Sequence, residues 1–203
     1  MSKESILNDI RNGLKESVDF FAHGKDKFIL ESWVVDSFLK NMSIPFAKTD
    51  LVRGDDPPDV IFFDAQFEVK EIPDKGRKRH TEYKEALARA NNATDPAELL
   101  EEYSPKDISI EEVYDRVYFK AAELAEKKYP IEFRKNLDLL FYINWRDIGR
   151  IVEKPFPDVT PLKALGYRSV SFLEGYRSCV FCADTKAPSF LHVQPRIIYR
   201  TIP

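Results

Sequence analysis

The sequence is poor in the residues that build soft-metal and redox centres. It has two cysteines, Cys179 and Cys182, and three histidines, His23, His80 and His192. A structural zinc site takes about four ligands, and a single Cys-x-x-Cys spacing falls short even with His192 as a third donor. Residues three apart on a strand face opposite sides, so the pair reads as two small buried side chains. A thioredoxin-like role lacks the helix start it needs. No G-x-x-x-x-G-K-S/T or G-x-G-x-x-G stretch is present, which leaves nucleotide-loop chemistry without support. No G-x-S-x-G elbow anchors a serine hydrolase. No apolar run reaches the length of a membrane span, and the opening MSKESILNDI lacks the apolar core of a signal peptide. These absences lead us to expect a soluble protein of the reducing cytoplasm.

What is present is a core and a balanced surface. Hydrophobic residues make up 43% of 203, enough for one sizeable domain, and charged residues 32% with a net charge of -3. The mild acidity gives no global pull toward nucleic acid, so any such site must be a local basic patch.

Helical spacing of Ile6, Leu7, Ile10, Leu14, Val18 and Phe21 predicts a helix over 3–21. A second runs over 26–41 with Phe28, Trp33, Val34, Phe38 and Leu39 apolar, and two antiparallel helices are the simplest picture. A short first strand is expected within SIPFAKTDLV, residues 43–52, and strands at 60–63 and 67–72 from their β-branched and aromatic content. A helix is expected over 79–91, and Thr94 or Asp95 is placed to cap a further turn at Pro96. Ser109, with Glu112 three residues on, opens a helix to about 128. The run LDLLFYI at 137–143 reads as a buried central strand. Two strands around Glu174-Gly175 form a hairpin, the segment at 155–166 is a loop with one short helix, and the tail broken by Pro195 adds an extended segment. The order gives a mixed sheet flanked by helices.

Within this frame DDPPDVIFFDAQFEVKEI, residues 55–72, carries acids and a lysine on apolar strands. Glu68 and Lys70 share a face, and Phe67 and Val69 point to the core. If Phe63 pairs with Glu68, Asp59 shares the face of Glu68 but lies four residues along, about 13 Å away at strand rise, so the strands would have to bend for both acids to reach one ion. Mg²⁺ or Mn²⁺ takes such oxygen donors, with the Val69 carbonyl as a further ligand. A neighbouring lysine can orient the attacking water or offset charge on the phosphorane. The bland reading is an edge hairpin whose Glu and Lys pair on a solvated face.

PPD at 57–59 followed by EVK at 68–70 resembles the PD-(D/E)XK signature of restriction-endonuclease-like nucleases. The whole chain also resembles an uncharacterised bacterial family labelled as endonucleases. The resemblance implies an α/β fold with an αβββαβ core over 26–185, an N-terminal helix within 1–24 and a C-terminal extension over 186–203, all in one domain. It implies Asp59, Glu68 and Lys70 as the catalytic set, with Asp59, Glu68 and Val69 holding the metal and Glu31 assisting from the first core helix. It further implies a metal-dependent endonuclease acting on nucleic acid, DNA foremost. The alternative is a catalytically inactive module of the same fold that binds nucleic acid or a protein partner. Lys75, Arg77, Lys78, Arg79, His80, Tyr83 and Lys84 are the candidates for gripping phosphates, although a solvated basic turn is the commoner fate of such a run. No membrane contact is expected, and a homodimer stays open.

Overall fold

The fold is described from a computed structural model over residues 2–23, 27–74, 76, 79–101 and 104–200, and for residues 20–23, 79 and 80 over the backbone alone. Lys75, Arg77 and Lys78 lie outside the described residues. In chain order the elements are α1 (Lys3–His23), α2 (Lys27–Asn41), β1 (Leu51–Arg53), β2 (Val60–Phe62), β3 (Ala65–Pro73) and α3 (Arg79–Asn92). These are followed by β4 (Lys106–Ser109), α4 (Ile110–Lys127), α5 (Ile131–Arg134), β5 (Asp138–Asn144) and β6 (Ile148–Val152). The chain ends with α6 (Thr160–Ala164), β7 (Ser169–Glu174), β8 (Arg177–Ala183) and β9 (Ile198–Tyr199). They gather into two compact units, Met1–Lys27 with Pro73–Pro105, and Phe28–Ile72 with Lys106–Pro203.

The first unit is built on α1 and α3. Leu7 is buried on α1, and Ala90 on α3. Arg11 donates Nε to the Ala90 carbonyl at 3.0 Å and Nη2 to the Ala93 carbonyl at 3.0 Å, which satisfies orphan acceptors at the end of α3. Asp95 caps a 3₁₀ turn at Pro96–Leu99: its Oδ1 accepts from the Ala97 amide at 3.0 Å, and Glu98 reaches back to the Asp95 amide at 2.9 Å. Lys3 pairs with Asp95.

In the second unit a seven-stranded sheet runs β1-β2-β3-β5-β7-β8-β9. The β5–β7 pair is parallel, and β1–β2, β2–β3, β7–β8 and β8–β9 are antiparallel, so the sheet is mixed. β5 is apolar on both faces. Leu140 joins Val34, Val35, Phe38 and Leu39 of α2 with Val60, Phe62, Phe67 and Val69. Leu139, Phe141 and Ile143 join Val113, Val117, Ala121 and Leu124 of α4 with Phe172 and Phe181. The protein is therefore a mixed α/β fold with helices on both faces of the sheet. Each buried Phe or Leu contributes about 1.5–3 kcal/mol of transfer free energy.

Asp138 opens β5 fully buried. It accepts from Arg168 Nε at 3.0 Å, Ser169 Oγ at 2.8 Å and the Gln66 amide at 2.9 Å, and Arg168 also donates to the Asp64 carbonyl at 3.0 Å. Burial pushes this carboxyl up, and Arg168 beside it pulls the other way. The cluster ties the β2–β3 turn to β5 and β7.

Several local expectations are corrected. The β7–β8 turn is Gly175-Tyr176, since Glu174 pairs with Arg177. Gly175 takes a φ of 50° there, a conformation that suits glycine. The segment before β1 is a 3₁₀ turn at Lys48–Asp50 with only three strand residues after it. β4 and β6 form a separate parallel pair that was not anticipated, because five residues with Gly149 and Arg150 inside carry little strand signal. Cys179 and Cys182 share one cluster, and Val180 packs in the other. A register shift between Val170 and Ser171 sets Cys182 opposite Val170 and Val180 opposite Ser171, which returns Cys182 to the side of Cys179. Both thiols are buried and free, and burial pushes Cys182 up to about 11.

Candidate functional site

The strand register brings the two signature acids together. Val60 pairs with Phe67, Ile61 with Gln66 and Phe62 with Ala65, and Phe63-Asp64 make the turn. Phe63 is therefore a turn residue at φ 51°, not the partner of Glu68. The ladder is irregular just before β2: the Asp59 amide donates at 3.0 Å to the carbonyl of Phe67, the residue that Val60 already pairs with. Asp59 is nevertheless brought beside Glu68, and Lys70 Nζ reaches both carboxylates. The offset expected from the other register does not arise, and the remaining departure from a regular ladder is local to Asp59. The shift of four residues is even, so among the paired residues the facing of each side chain is unchanged.

A tight loop delivers Asp59. The Gly54 amide donates to the Asp59 carbonyl at 3.1 Å, and the Asp56 amide to the Pro58 carbonyl at 3.1 Å. A Cβ at Gly54 would lie 1.9 Å from the Pro58 oxygen, so only glycine fits. Asp56 adopts φ 43°, a left-handed conformation that Asp tolerates better than most residues.

Asp59 is 4% exposed and Glu68 not at all. Asp59 Oδ2 accepts from the Val69 amide at 2.9 Å and from Lys70 Nζ at 3.2 Å. Lys70 Nζ also donates to the Val69 carbonyl at 2.9 Å and to Glu68 Oε1. One ammonium thus bridges the Asp59 carboxylate, the Glu68 carboxylate and the Val69 carbonyl. Asp56, exposed on the loop, brings a third carboxylate, and one oxygen from each of Asp56, Asp59 and Glu68 lies within 4.8 Å of the others.

Two residues just past α4 complete the site. Tyr129 is buried and donates its hydroxyl to Glu68 Oε1. Burial first, then the Glu68 carboxylate, holds that phenol protonated well above its ordinary range. Lys128 places Nζ 3.6 Å from the same Glu68 oxygen and 4.8 Å from the centre of the Tyr129 ring. Glu68 Oε2 is shielded from solvent and has no hydrogen-bond partner among the described residues.

Glu31 lies buried on α2, outside the group of three carboxylates. Arg79 and His80 open α3, and only their backbone is described; Tyr83 is half-buried and Lys84 exposed on the same helix, in the first unit. Asp56, Lys128 and Tyr129 were not picked out from the sequence. Asp56 stands in the run DDPPD, where its acidity was visible, but its approach depends on loop geometry. Tyr129 reaches Glu68 across 61 positions, and no spacing rule reports such a pair.

The sequence model of a family described as "Putative endonuclease, protein of unknown function (DUF1780)" matches residues 2–201. No curated protein matches. Among solved structures, a protein of unknown function from Pseudomonas aeruginosa strain PAO1, described as of the monooxygenase superfamily, is similar in fold at a TM-score of 0.66. It is 25% identical, over 98% of this chain and 96% of that one.

Proposed function

The chain belongs to the DUF1780 family, and from that membership and the site's geometry we propose that it is a metal-dependent nuclease that hydrolyses nucleic-acid phosphodiester bonds, DNA foremost. The second unit runs α2, β1, β2, β3, β4, α4, α5, β5 along the chain, and β4 lies outside the seven-stranded sheet. With β4 and α5 as additions, we read α2, β1, β2, β3, α4 and β5 as a restriction-endonuclease-like αβββαβ core.

The donor set suits a hard divalent cation, Mg²⁺ or Mn²⁺, because every candidate ligand is oxygen. Asp59, Glu68 and the Val69 carbonyl would hold it, with Asp56 as a further carboxylate. The shielded Glu68 Oε2 is a buried acceptor that costs free energy while it goes unused. Such an ion would polarise the scissile phosphate and acidify a water. Lys70 supplies a proton donor and a fixed positive charge for the attacking water and the developing phosphorane. Tyr129 stays protonated and fixes the Glu68 rotamer through Oε1. Lys128, about half exposed, offers a second cation to a phosphate. Glu31 is proposed to assist the metal shell from α2, and the basic stretch from Lys75 to Lys84 to contact the nucleic-acid backbone.

The observation that carries this reading is the convergence of Asp59, Glu68 and the Val69 carbonyl on one point, marked by the Lys70 ammonium. The test is cleavage of single- and double-stranded DNA and RNA with Mn²⁺, comparing wild type with Asp59→Ala and Lys70→Ala. We expect cleavage by wild type and a loss of at least a hundredfold in each variant. Cleavage that persists in both would refute the assignment.

A second reading rests on the same lysine. An ammonium held by all three oxygens already takes the place an ion would occupy, as a catalytically inactive module that binds nucleic acid or a protein would require. That reading predicts no Mn²⁺ binding.

A further inference from the structure

Away from the carboxylates, the second unit carries a half-open cavity of about 510 Å³ along one stripe of α2, closed by Lys48, Leu51 and Arg200. That volume lies within the range of small-molecule sites. Its walls combine two chemistries. Trp33 stays 47% exposed while meeting Tyr142 edge to face, ring centres 5.4 Å apart, which fixes the indole plane. Phe28 lines the same cavity, with Arg53 over its ring at 4.9 Å. Against these aromatics stand Lys40, Lys48 and Arg200. Lys40 is shared with Asp36 at 2.6 Å, so the lining retains a net positive charge.

We propose that this cavity binds a nucleotide, its base against Trp33 and its phosphate on Lys48 and Arg200. An alkyl chain with an acid head would satisfy the cations but would lie against the hydroxyls of Ser32 and Ser37 and the Asp36–Lys40 pair. A planar base with ring and exocyclic N–H groups suits that wall. Ser32 Oγ and Asp36 Oδ1 are both shielded and without a hydrogen-bond partner among the described residues, a cost that a donor entering at that end would relieve. Aromatic faces take any base, and the cations take its phosphate. The same chemistry admits a free mononucleotide or one nucleotide of a single strand. The proposal is independent of whether the carboxylate site cuts nucleic acid.

The chain has two tryptophans, Trp33 and Trp145, so a Trp145→Phe protein reports on Trp33 alone. Its fluorescence is titrated in EDTA with AMP, with GMP, with a short single-stranded oligonucleotide and with inorganic phosphate. Saturable quenching by the mononucleotides, weakened at least tenfold by Lys48→Glu with Arg200→Glu, is expected. Quenching by the oligonucleotide alone, equally sensitive to that charge reversal, identifies a strand as the source and supports the proposal. No quenching at millimolar concentration, quenching indifferent to the charge reversal, or a fluorescence change that inorganic phosphate alone reproduces would overturn it.

Discussion

Glu68 has no exposed surface, yet it faces one ammonium at bonding distance and a second at 3.6 Å. Buried charges of this kind hold only while their partners remain, and removing one partner of a buried pair costs about 3–5 kcal/mol. Lys70→Met should therefore lower stability by about 3–5 kcal/mol in urea denaturation without metal. Mn²⁺ should then raise the melting temperature of the variant more than that of wild type, because ion and ammonium compete for the same oxygens. Equal shifts in both proteins would contradict that competition. The acids and the lysine were legible in PPD and EVK because those spacings are local. Their convergence was not, because it depends on which residues turn the hairpin. A Phe-Asp turn carries no Asn-Gly or Asp-Gly signal, and the register assumed from the sequence was wrong by four residues. Glu68 and Lys70 nevertheless share one face as predicted, since strand parity survives an even shift, and Lys70 reaches Asp59 as well.

Among the elements, the loop Gly54–Asp59 sets the site more than either strand does. A methyl group on Gly54 would collide with the Pro58 carbonyl, whose oxygen accepts the Asp56 amide. Gly54→Ala should cost about 1–3 kcal/mol of overpacking strain and displace both Asp56 and Asp59. Denaturation together with Mn²⁺ affinity checks this, and a variant of wild-type stability and affinity would show the loop to be slack. The longer elements were readable in advance. Ser109 accepts the Glu112 amide at 3.0 Å, as its capping pattern indicated, and LDLLFYI is the doubly buried β5. The short pair β4 and β6 was not readable, because its pairing joins residues about 40 apart and its composition is mixed.

Across the whole molecule the two units differ in what holds them. The second has two extensive apolar clusters and the buried Asp138–Arg168 cluster. In the first, the buried apolar side chains among the described residues are Leu7, Ala90 and Ala93, and exposed charged contacts do more of the work. Amides of α1 and α3 should accordingly exchange with deuterium before those of β5 and β7. The carboxyls of Asp95 and Glu98 are held below their ordinary values of 3.8 and 4.5, Asp95 chiefly by Lys3 and Glu98 chiefly by Thr94. Groups lowered in this way stabilise the folded state above those values, and the contribution is lost as pH falls through the folded pKa. Acidification below about pH 4 should speed exchange in the first unit ahead of the second. No helix among the described residues is long and apolar enough to cross a membrane.

The most direct measurement is a calorimetric titration of Mn²⁺ into wild type and into Asp59→Asn. Three oxygens gathered around one point predict one ion per chain in wild type and affinity at least tenfold weaker once Asp59 loses its charge. No heat of binding in wild type, or equal affinity in the variant, would contradict the account.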